Sequence, residues 1–523
     1  MLVSSLGILA TSLEYMRRQL SRRLCGRHSL ACTCVAVLVA VLTILILSAG
    51  LRDARYTPNW IKFPDLSLFG WSRLRWREAD FCYIRDAESG RQPNSSTCVT
   101  HCSTFPPASL GDSSAIHTEL HDCMTYRARY SSLCASQTEE QSIDILEDPA
   151  PRYRSAIVLR AWDKFSWTPD DIRNVKAMVT EMSLLGSSYS VHILLHVRTE
   201  EDLSTMAAES LEAIKLLHVP AEFLNITELW SYADCQSAYP AVGEYEFYYH
   251  AFMALQMFAD RHPEYDFFWN WEMDVRYTGT YNELFPSLTA WANQQSHEGA
   301  WERNSRFYIP TYHGTWENFT RSIKLSGNAF PSPTPWLPQQ SQPEDLGQES
   351  DLITLFPMFD CEDTAWPHKD YVVNYQLEEV QPRIGTVGTN MRLSRRLLQM
   401  MANENIAGRA MMSEMWPPTL AFHHGLKAIS VPHPMFFDKR WQSNDLQQIF
   451  NAGVNGRVGG SNTSVVGHEE VFLGSTWFWN AQSPSELYDR WMGVAREGPG
   501  STEFARLHGN VCLPRILLHP VKF

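Results

Sequence analysis

Buried-strand patterns alternate with amphipathic-helix patterns from residue 153 onward, and this alternation constrains the fold more than any other feature of the chain. The first helix is predicted to begin at Pro169, because Thr168 suits the N-cap and two acidic residues follow the proline. Strands that alternate with helices are typical of a mostly parallel, doubly wound α/β sheet. Further strands are predicted over residues 155–160, 190–197 and 221–226, and further helices over residues 203–217 and 247–259.

An aromatic strand pattern ends abruptly at two carboxylates. Residues 265–271 read Tyr-Asp-Phe-Phe-Trp-Asn-Trp, and Glu272-Met273-Asp274 follows. Residues i and i+2 of an extended backbone point to the same face, so both carboxylates are expected to converge just past the strand. Oxygen ligands arranged in this way suit Mn²⁺ or Mg²⁺ and, through the ion, a diphosphate. The alternative is that one acid caps a helix and the other lies in a solvated turn.

The N-terminal region predicts a membrane anchor. Residues 30–51 are almost uninterruptedly apolar and would rise about 33 Å as a helix, enough to cross a bilayer core of roughly 30 Å. Five arginines precede this run, so the positive-inside rule keeps residues 1–29 in the cytosol and places the rest in the lumen. The resulting protein is single-pass type II, resident in the Golgi or the endoplasmic reticulum.

Charge and cysteine content agree with a lumenal location. The formal net charge of the chain is −14. Residues 1–51 contain five arginines and one glutamate and carry +4, so residues 52–523 carry −18. A region with such a negative charge is a poor partner for nucleic acid. An even number of cysteines beyond the anchor permits complete disulfide pairing, with zinc ligation at Cys98 and Cys102 as the rival interpretation. These cysteines are Cys82, Cys98, Cys102, Cys123, Cys134, Cys235, Cys361 and Cys512. Glycosylation sequons start at Asn94, Asn225, Asn318 and Asn462.

The domain organisation follows from these patterns. Residues 52–150 are predicted to form a stem and a cysteine-rich cap, and residues 151–523 the main α/β domain. Residues 330–350 are rich in proline and glutamine, which indicates a surface loop, with a lid over a bound acceptor as the alternative.

The second half of the main domain supplies further candidate site residues. Residues 385–388 read Gly-Thr-Val-Gly and are predicted to lead into a helix that bears Arg392, Arg395 and Arg396. Two prolines place Glu414 just ahead of another helix, where a carboxylate can project into a cleft. A strand over residues 427–431 is followed by His433, which is the histidine we favour as a metal ligand, since strand ends point toward the site.

Four segments resemble a fungal family of single-pass type II membrane proteins catalogued as a domain of unknown function. They lie at residues 157–162, 269–279, 416–427 and 512–522, and the resemblance extends from about residue 152 to the end. The family architecture resembles that of GT-A glycosyltransferases. The resemblance implies donor binding at Glu272 and Asp274 and an acceptor-side acid at Glu414. The chain departs from the usual Asp-x-Asp element by having Glu272 at the first position, as some fungal mannosyltransferases do.

The leading hypothesis is a metal-dependent glycosyltransferase that moves a sugar from a nucleotide-diphosphate donor to a hydroxyl group. Glu272 and Asp274 would hold Mn²⁺ or Mg²⁺, Arg160 would contact the nucleotide and Arg276 the phosphates. Glu414 would deprotonate the acceptor in an inverting reaction or orient it in a retaining one. The acceptor could be a glycan, a lipid, a protein or a small metabolite.

Two other functional classes remain open at this stage. A lumenal glycan hydrolase would use two carboxylates about 5–10 Å apart as acid and base. A non-catalytic, membrane-tethered glycan-binding protein would use its tryptophans to stack on sugars and would need neither nucleotide nor metal.

Overall fold

The computed structural model describes residues 82–83, 100–101, 108–116, 122–131, 154–183, 186–199, 201–327, 347–376, 380, 382–438, 440–458, 469–493 and 511–522. These residues belong to one compact unit, Leu74–Phe523. The predicted cytosolic tail, the membrane anchor at residues 30–51 and most of the loop at residues 330–350 lie outside the described residues. Among the helices that the structure does describe, none combines the length and the apolar content needed to cross a bilayer.

The strands are numbered here in chain order over the described residues. They are β1 (Cys82–Tyr83), β2 (Thr100–His101), β3 (Asp122–Thr125), β4 (Ser155–Trp162), β5 (Tyr189–His196), β6 (Thr227–Trp230), β7 (Phe267–Glu272), β8 (Arg276–Tyr277), β9 (Leu352–Thr354), β10 (Phe359–Asp360), β11 (Val372–Val373), β12 (Ile384–Gly385), β13 (Met391–Ser394), β14 (Ala410–Met411), β15 (Ala428–Ser430), β16 (Val511–Pro514) and β17 (Leu517–Leu518).

The α-helices are numbered in the same way. They are α1 (Tyr126–Arg129), α2 (Pro169–Ser183), α3 (Ala208–His218), α4 (Tyr232–Ala238), α5 (Ala251–Arg261), α6 (Tyr281–Gln294), α7 (Ala300–Asn304), α8 (Pro310–His313), α9 (Trp316–Gly327), α10 (Arg395–Ile406), α11 (Trp416–His423), α12 (Ser443–Phe450) and α13 (Ser483–Met492).

The centre of the molecule is a seven-stranded sheet with the order β15-β9-β13-β7-β4-β5-β6. Strand β4 runs parallel to both β5 and β7, and β5 runs parallel to β6. Strand β13 is antiparallel to both of its neighbours, β7 and β9, while β15 runs parallel to β9. The fold is therefore mixed α/β with a large, mostly parallel sheet, and β13 is the one reversed strand of that sheet.

The aromatic strand β7 lies in the middle of this sheet. Trp269 and Trp271 are completely buried and contact each other and Phe285 of α6, with ring centroids 5.0–6.2 Å apart. Strand β4 beside it is buried from Ser155 to Leu159. Burial of both faces explains why neither strand shows a regular apolar–polar alternation. Because β4 and β7 run parallel, the polar residues at their carboxyl ends lie at the same edge of the sheet.

Local sequence signals placed several elements correctly. Helix α2 begins at Pro169 as predicted, because Thr168 and Asp171 bond reciprocally: the Asp171 amide donates to Thr168 Oγ1 at 3.1 Å, and the Thr168 amide donates to Asp171 Oδ2 at 2.9 Å. Helix α11 also begins where the two prolines predicted, two residues after Glu414. Strand β15 confirms the strand predicted over residues 427–431.

Two of the sequence-based assignments are wrong. Residues 221–226 form a 3₁₀ helix, and the third parallel strand, β6, begins only at Thr227. Arg392 lies on strand β13 rather than on a helix, and helix α10 begins at Arg395 after its N-cap, Ser394. Pairing of β13 with both β7 and β9 outweighs the helical propensity of its sequence, since a central strand gains backbone hydrogen bonds on both sides.

A second, small sheet joins the cysteine-rich region to the C-terminal segment. Its strand order is β1-β16-β3-β2, and a disulfide links Cys123 of β3 to Cys512 of β16 across 389 residues of sequence. A cysteine of the predicted cap therefore bonds to a partner at the other end of the main domain's sequence. Cys235 and Cys361 are buried free thiols, so complete pairing of the cysteines beyond residue 52 does not occur.

Candidate metal and donor site

Two carboxylates and a histidine meet where strand β7 ends. Glu272 is the last residue of β7, Asp274 lies in the turn that follows, and His519 follows β17. His519 Nε2 lies 3.0 Å from a Glu272 oxygen and 3.6 Å from an Asp274 oxygen, and potential ligand atoms of all three residues lie within 4.8 Å of one another. The two acids converge as predicted, although a turn, rather than alternation along the strand, brings Asp274 back toward Glu272.

The Glu272 carboxylate is held by a ring of hydrogen-bond donors. Arg160 of the neighbouring strand β4 donates from Nη2 at 2.8 Å, Thr389 from its hydroxyl at 2.7 Å, and Asn390 from its side-chain amide at 2.9 Å. Burial raises the pKa of Glu272, but the hydrogen bond and charge of His519 and the charge of Arg160 hold it well below its usual range. Glu272 is therefore ionised and fixed in one orientation.

The other two members of the triad are perturbed in the opposite sense. Burial and the neighbouring charge of Glu272 raise the pKa of Asp274 despite the opposing charges of His519 and Lys522. Burial lowers the pKa of His519, but the hydrogen bond with Glu272 and the two carboxylate charges more than compensate, so it is raised. Glu272 and Asp274 repel each other, and the charge of His519 offsets this repulsion.

The C-terminal segment places His519 beside Glu272 and Asp274. Strand β17 pairs antiparallel with β8, so this segment runs beside the chain that has just left Asp274. The Val521 amide donates to the Asp274 carbonyl at 2.8 Å, and the His519 amide donates to the Thr476 carbonyl at 3.1 Å. The His519 ring also lies 5.1 Å from the ring of Trp477. Long-range pairing therefore brings together residues that are about 245 positions apart in sequence.

Glu414 lies at the same edge of the sheet. Its carboxylate accepts a hydrogen bond from the Gly388 amide and another from the Tyr248 hydroxyl. The charges of Glu272 and Arg160 also change its pKa. Gly388 has φ +84°, a conformation that favours glycine, so this loop can aim its amide at Glu414. Burial and the charge of Glu272 raise the pKa of Glu414 to about 7, although the two hydrogen bonds and Arg160 oppose the rise.

The loop between β12 and β13 connects Glu414 to the triad. The Thr386 amide donates to the Glu414 carbonyl at 3.0 Å, Gly388 contacts its carboxylate, and the next two residues of the loop bind Glu272. Arg160 also donates to the Thr389 hydroxyl at 2.7 Å. The loop that begins at the predicted residues 385–388 and continues to Asn390 therefore contacts three of the predicted residues, Arg160, Glu272 and Glu414.

Arg276 does not face this site, so its predicted contact with phosphates is wrong. It is completely buried, and it donates to Asp170 at 3.0 Å and to Asp171 at 2.6 Å at the start of helix α2. Its remaining guanidinium nitrogen donates to the carbonyls of Met273 and Val275 at 2.7 and 3.2 Å. Because those carbonyls flank Asp274, Arg276 holds the turn that carries the metal-ligand candidate instead of binding a ligand itself.

His433 does not lie with Glu272 and Asp274, and its predicted role as a metal ligand is wrong. Its side chain is completely buried, with Nε2 3.1 Å from the Leu355 carbonyl and its ring 5.0 Å from the ring of Trp477. Trp477 in turn contacts His519, so His433 lies behind the tryptophan that supports the histidine of the triad. Burial lowers the pKa of His433 to about 4.

Sequence analysis missed four residues of the site: His519, Thr389, Asn390 and Tyr248. A usable signal existed for His519, which stands before Pro520 near the end of the segment 512–522 that carries the family resemblance. Thr389 and Asn390 directly follow the loop at residues 385–388 but carry no signal of their own. Nothing local marks Tyr248, whose role depends on contact with Glu414 across the fold.

Two of the predicted glycosylation sites lie on the described surface. Asn225 and Asn318 are exposed, as an acceptor asparagine must be. Asn94 and Asn462 lie outside the described residues. Glycosylation at all four positions stays a prediction.

The triad has the chemistry of a divalent-cation site. Two carboxylate oxygens and one imidazole nitrogen are ligands that Mn²⁺ accepts, and the partial exposure of Glu272 and Asp274 (21% and 29% of their side chains) leaves room for further ligands from solution or substrate. The acids would gain most from such an ion, because it would replace His519 as the charge that offsets their repulsion.

The fold and this site define a mixed α/β protein with an acidic, metal-ligand-like cluster at the end of the central strand. A family model described as "Protein of unknown function (DUF3405)" matches residues 70–523. The chain belongs to this family, which confirms the resemblance to a domain of unknown function. A comparison with curated proteins gives no match.

Proposed function

We propose that this protein is a metal-dependent glycosyltransferase that moves a sugar from a nucleotide-diphosphate donor to a hydroxyl acceptor. The observation that carries this proposal is the meeting of Glu272, Asp274 and His519 next to Glu414, a carboxyl group whose pKa is raised to about 7. A metal-ligand set beside a carboxylate that can accept a proton near neutral pH is what metal-assisted transfer to a hydroxyl requires.

The topology supports the same class. In the central sheet, parallel strands β4, β5, β6 and β7 place their carboxyl ends at one edge, and the reversed strand β13 follows the loop that binds Glu272. Ligands of open α/β sheets bind beyond the carboxyl ends of the strands. This arrangement is compatible with the GT-A-like architecture that the family resemblance implies.

Each residue has a definable role in this proposal. Glu272, Asp274 and His519 would hold Mn²⁺ or Mg²⁺, which would supply charge neutralisation for the departing diphosphate. Arg160, already fixed on Glu272, would direct its remaining guanidinium surface toward the nucleotide. Glu414 would accept the proton of the acceptor hydroxyl if the reaction inverts the anomeric centre.

A hydrolase built on Glu272 and Glu414 is the weaker candidate. Their pKa values are pushed apart, as in an acid–base pair. However, Arg160, Thr389, Asn390 and His519 already occupy the Glu272 carboxylate. A carboxylate so fully bonded is suited to being held in place and poorly suited to attacking a sugar or activating water.

We further propose that the protein is anchored through residues 30–51 with its α/β domain in the Golgi or endoplasmic reticulum lumen. The Cys123–Cys512 disulfide supports an oxidising compartment, and the exposure of Asn225 and Asn318 is compatible with glycosylation. Treatment of the expressed protein with a glycosidase that removes N-linked glycans should increase its mobility on a gel; unchanged mobility would contradict lumenal glycosylation.

The function is tested on the purified full-length protein in detergent, with UDP-sugars and GDP-sugars and added Mn²⁺. Wild type should release nucleoside diphosphate, and Asp274→Asn should lower this activity by about 100-fold or more while thermal unfolding changes little. Mn²⁺ binding, followed by electron paramagnetic resonance, should weaken in parallel.

Asp445→Asn, which removes an exposed carboxylate from helix α12, is the matched control and should behave like wild type. Full activity or full Mn²⁺ affinity in Asp274→Asn would overturn the metal site.

A further inference from the structure

Half-exposed aromatic rings flank the candidate site. The chain is rich in aromatic residues, and most of those described are buried. In the described part of the chain, the large aromatic side chains with at least 40% of their surface exposed are Trp162, Tyr248, Tyr312 and Trp479. Tyr248 is 42% exposed and bonds Glu414, and Trp479 is 52% exposed and lies near His519. Exposed aromatic rings beside polar groups are surfaces that a ligand can cover.

Tyr248 lies beside Glu414 and contacts several neighbouring residues. Its hydroxyl bonds the Glu414 carboxylate, and its carbonyl accepts a hydrogen bond from the Ser413 hydroxyl at 2.8 Å. Its ring packs edge-on against Tyr249, with centroids 5.7 Å apart, and Tyr249 stacks on Tyr371 at 4.1 Å. A hydroxyl group that binds Glu414 would therefore lie close to Tyr248.

Trp479 borders the site from a different segment. It lines a crevice with Val387, Gly388, Asn390 and His519, so it lies beside the loop whose Gly388 amide holds Glu414. The neighbouring residue Phe478 is anchored, since it donates its amide to the His519 carbonyl at 3.2 Å and stacks on Phe472 at 4.1 Å. The backbone next to Trp479 is thus held by the same C-terminal segment that carries His519.

We propose that Tyr248 and Trp479 form the acceptor subsite and that the acceptor is a sugar. This inference rests on the proposed function and names the acceptor class. Each aromatic face is bordered by polar groups, Glu414 at Tyr248 and His519 with Asn390 at Trp479. A pyranose matches that pattern, because its C–H faces cover aromatic rings while its hydroxyl rim bonds polar neighbours. A lipid chain would require a continuous apolar surface instead.

The reaction balances with the groups already named. The bond between the donor's anomeric carbon and the diphosphate oxygen breaks, and a bond forms between that carbon and an acceptor hydroxyl oxygen. The hydroxyl proton passes to Glu414, and the nucleoside diphosphate leaves with the electron pair of the broken bond.

The test compares Trp479→Ala, Trp479→Phe and Tyr248→Phe in the full-length protein. The acceptors are methyl α-mannopyranoside and methyl β-glucopyranoside, with dodecanol and a serine-containing peptide as non-sugar acceptors. Trp479→Ala should raise KM for the glycoside at least 10-fold with less than a 2-fold change in KM for the donor, and Trp479→Phe should restore it. Tyr248→Phe keeps the ring face and should lower kcat without raising the glycoside KM. Tyr312→Ala, a half-exposed tyrosine on helix α8, is the control and should match wild type.

Glycoside binding without donor, measured by saturation-transfer NMR, separates this inference from the proposed function. Wild type should bind a glycoside, and Trp479→Ala should lose that binding even if no nucleotide sugar is ever consumed. Consumption of nucleotide sugar without glycoside binding would overturn the sugar subsite and leave the transferase intact. Preferred transfer to dodecanol or to the peptide, or an unchanged glycoside KM in Trp479→Ala, would also overturn it.

Discussion

At the scale of single residues, Glu414 shows how burial and a few contacts set the chemistry of one carboxyl group. Burial and the charge of Glu272 favour its neutral form, while the Gly388 amide and the Tyr248 hydroxyl favour the ionised form. The balance leaves its pKa about 7, far above that of an exposed glutamate. A group with that pKa exchanges protons efficiently near neutral pH.

This balance predicts the acid limb of the pH–activity profile. A base must be ionised, and the ionised fraction of Glu414 falls as the pH drops through about 7, so transfer should decline with a midpoint near pH 7. The hydrogen bond from Tyr248 lowers the pKa of Glu414, so Tyr248→Phe should move the midpoint to higher pH.

The measurement is kcat/KM between pH 5.5 and 8.5 at saturating Mn²⁺. Glu414→Gln should lose activity by about 100-fold or more at every pH, since the amide cannot accept the proton. An acid limb that falls only near pH 4.5, or substantial activity in Glu414→Gln, would remove Glu414 from the base role.

At the scale of elements, the C-terminal strands decide whether the site is complete. Strand β16 is tied to β3 by the Cys123–Cys512 disulfide, β17 pairs with β8, and His519 follows immediately. The disulfide therefore anchors a segment that continues past β8 to the turn of Asp274, where the Val521 amide donates to the Asp274 carbonyl. Arg276 of β8 holds that turn from the other side, through its bonds to Met273 and Val275.

Removal of the disulfide should weaken both stability and metal binding. Cys123→Ser with Cys512→Ser should lower the free energy of unfolding by about 2–5 kcal/mol, because the unfolded chain regains the freedom that a long cross-linked loop denies it. Mn²⁺ affinity should also fall, because the strand that presents His519 is less constrained. Chemical denaturation and Mn²⁺ titration measure the two effects. Cys235→Ala, which changes a buried free thiol, should leave Mn²⁺ affinity unchanged; equal affinity in the double variant would separate the disulfide from the site.

At the scale of the whole molecule, the interior contains histidines held neutral by burial. His192, His196, His313 and His433 each have a pKa lowered to about 4, with burial as the main cause. The unfolded chain binds their protons near pH 6.5 and the folded chain does not. Stability from these groups is therefore complete above about pH 6.5 and is lost as the pH falls toward 4.

His196 allows this pH dependence to be measured. Its ring packs among Trp230, Tyr232 and Phe247, with centroids 4.4–5.1 Å away. His196→Phe should reduce the loss of unfolding free energy between pH 7.5 and pH 5 by roughly 1–2 kcal/mol, since phenylalanine has no proton to bind. Urea denaturation at the two pH values is the measurement. An identical pH dependence in wild type and His196→Phe would show that this histidine is not held neutral.

Sequence patterns alone predicted the parts of this protein that depend on neighbouring residues. Proline and the Thr168–Asp171 pairing located the start of helix α2, and two prolines located Glu414 ahead of α11, because caps and backbone restrictions act within one helical turn. The same patterns misplaced β6 and β13, whose strand form depends on partners that are distant in sequence.

What the sequence determined by itself was the class of sheet, the carboxylates where strand β7 ends, and the position of Glu414, since each follows from periodicity or local backbone chemistry. Only the tertiary structure shows that His519, and not His433, lies beside the two carboxylates. It also shows that Arg276 is buried against Asp170 and Asp171. The contact between Tyr248 and Glu414 likewise depends on the fold. These choices depend on strand pairing and burial across more than 100 residues of sequence. A histidine or arginine cannot be assigned to a ligand or to the core until its surroundings are known, because burial and paired charges decide between the two.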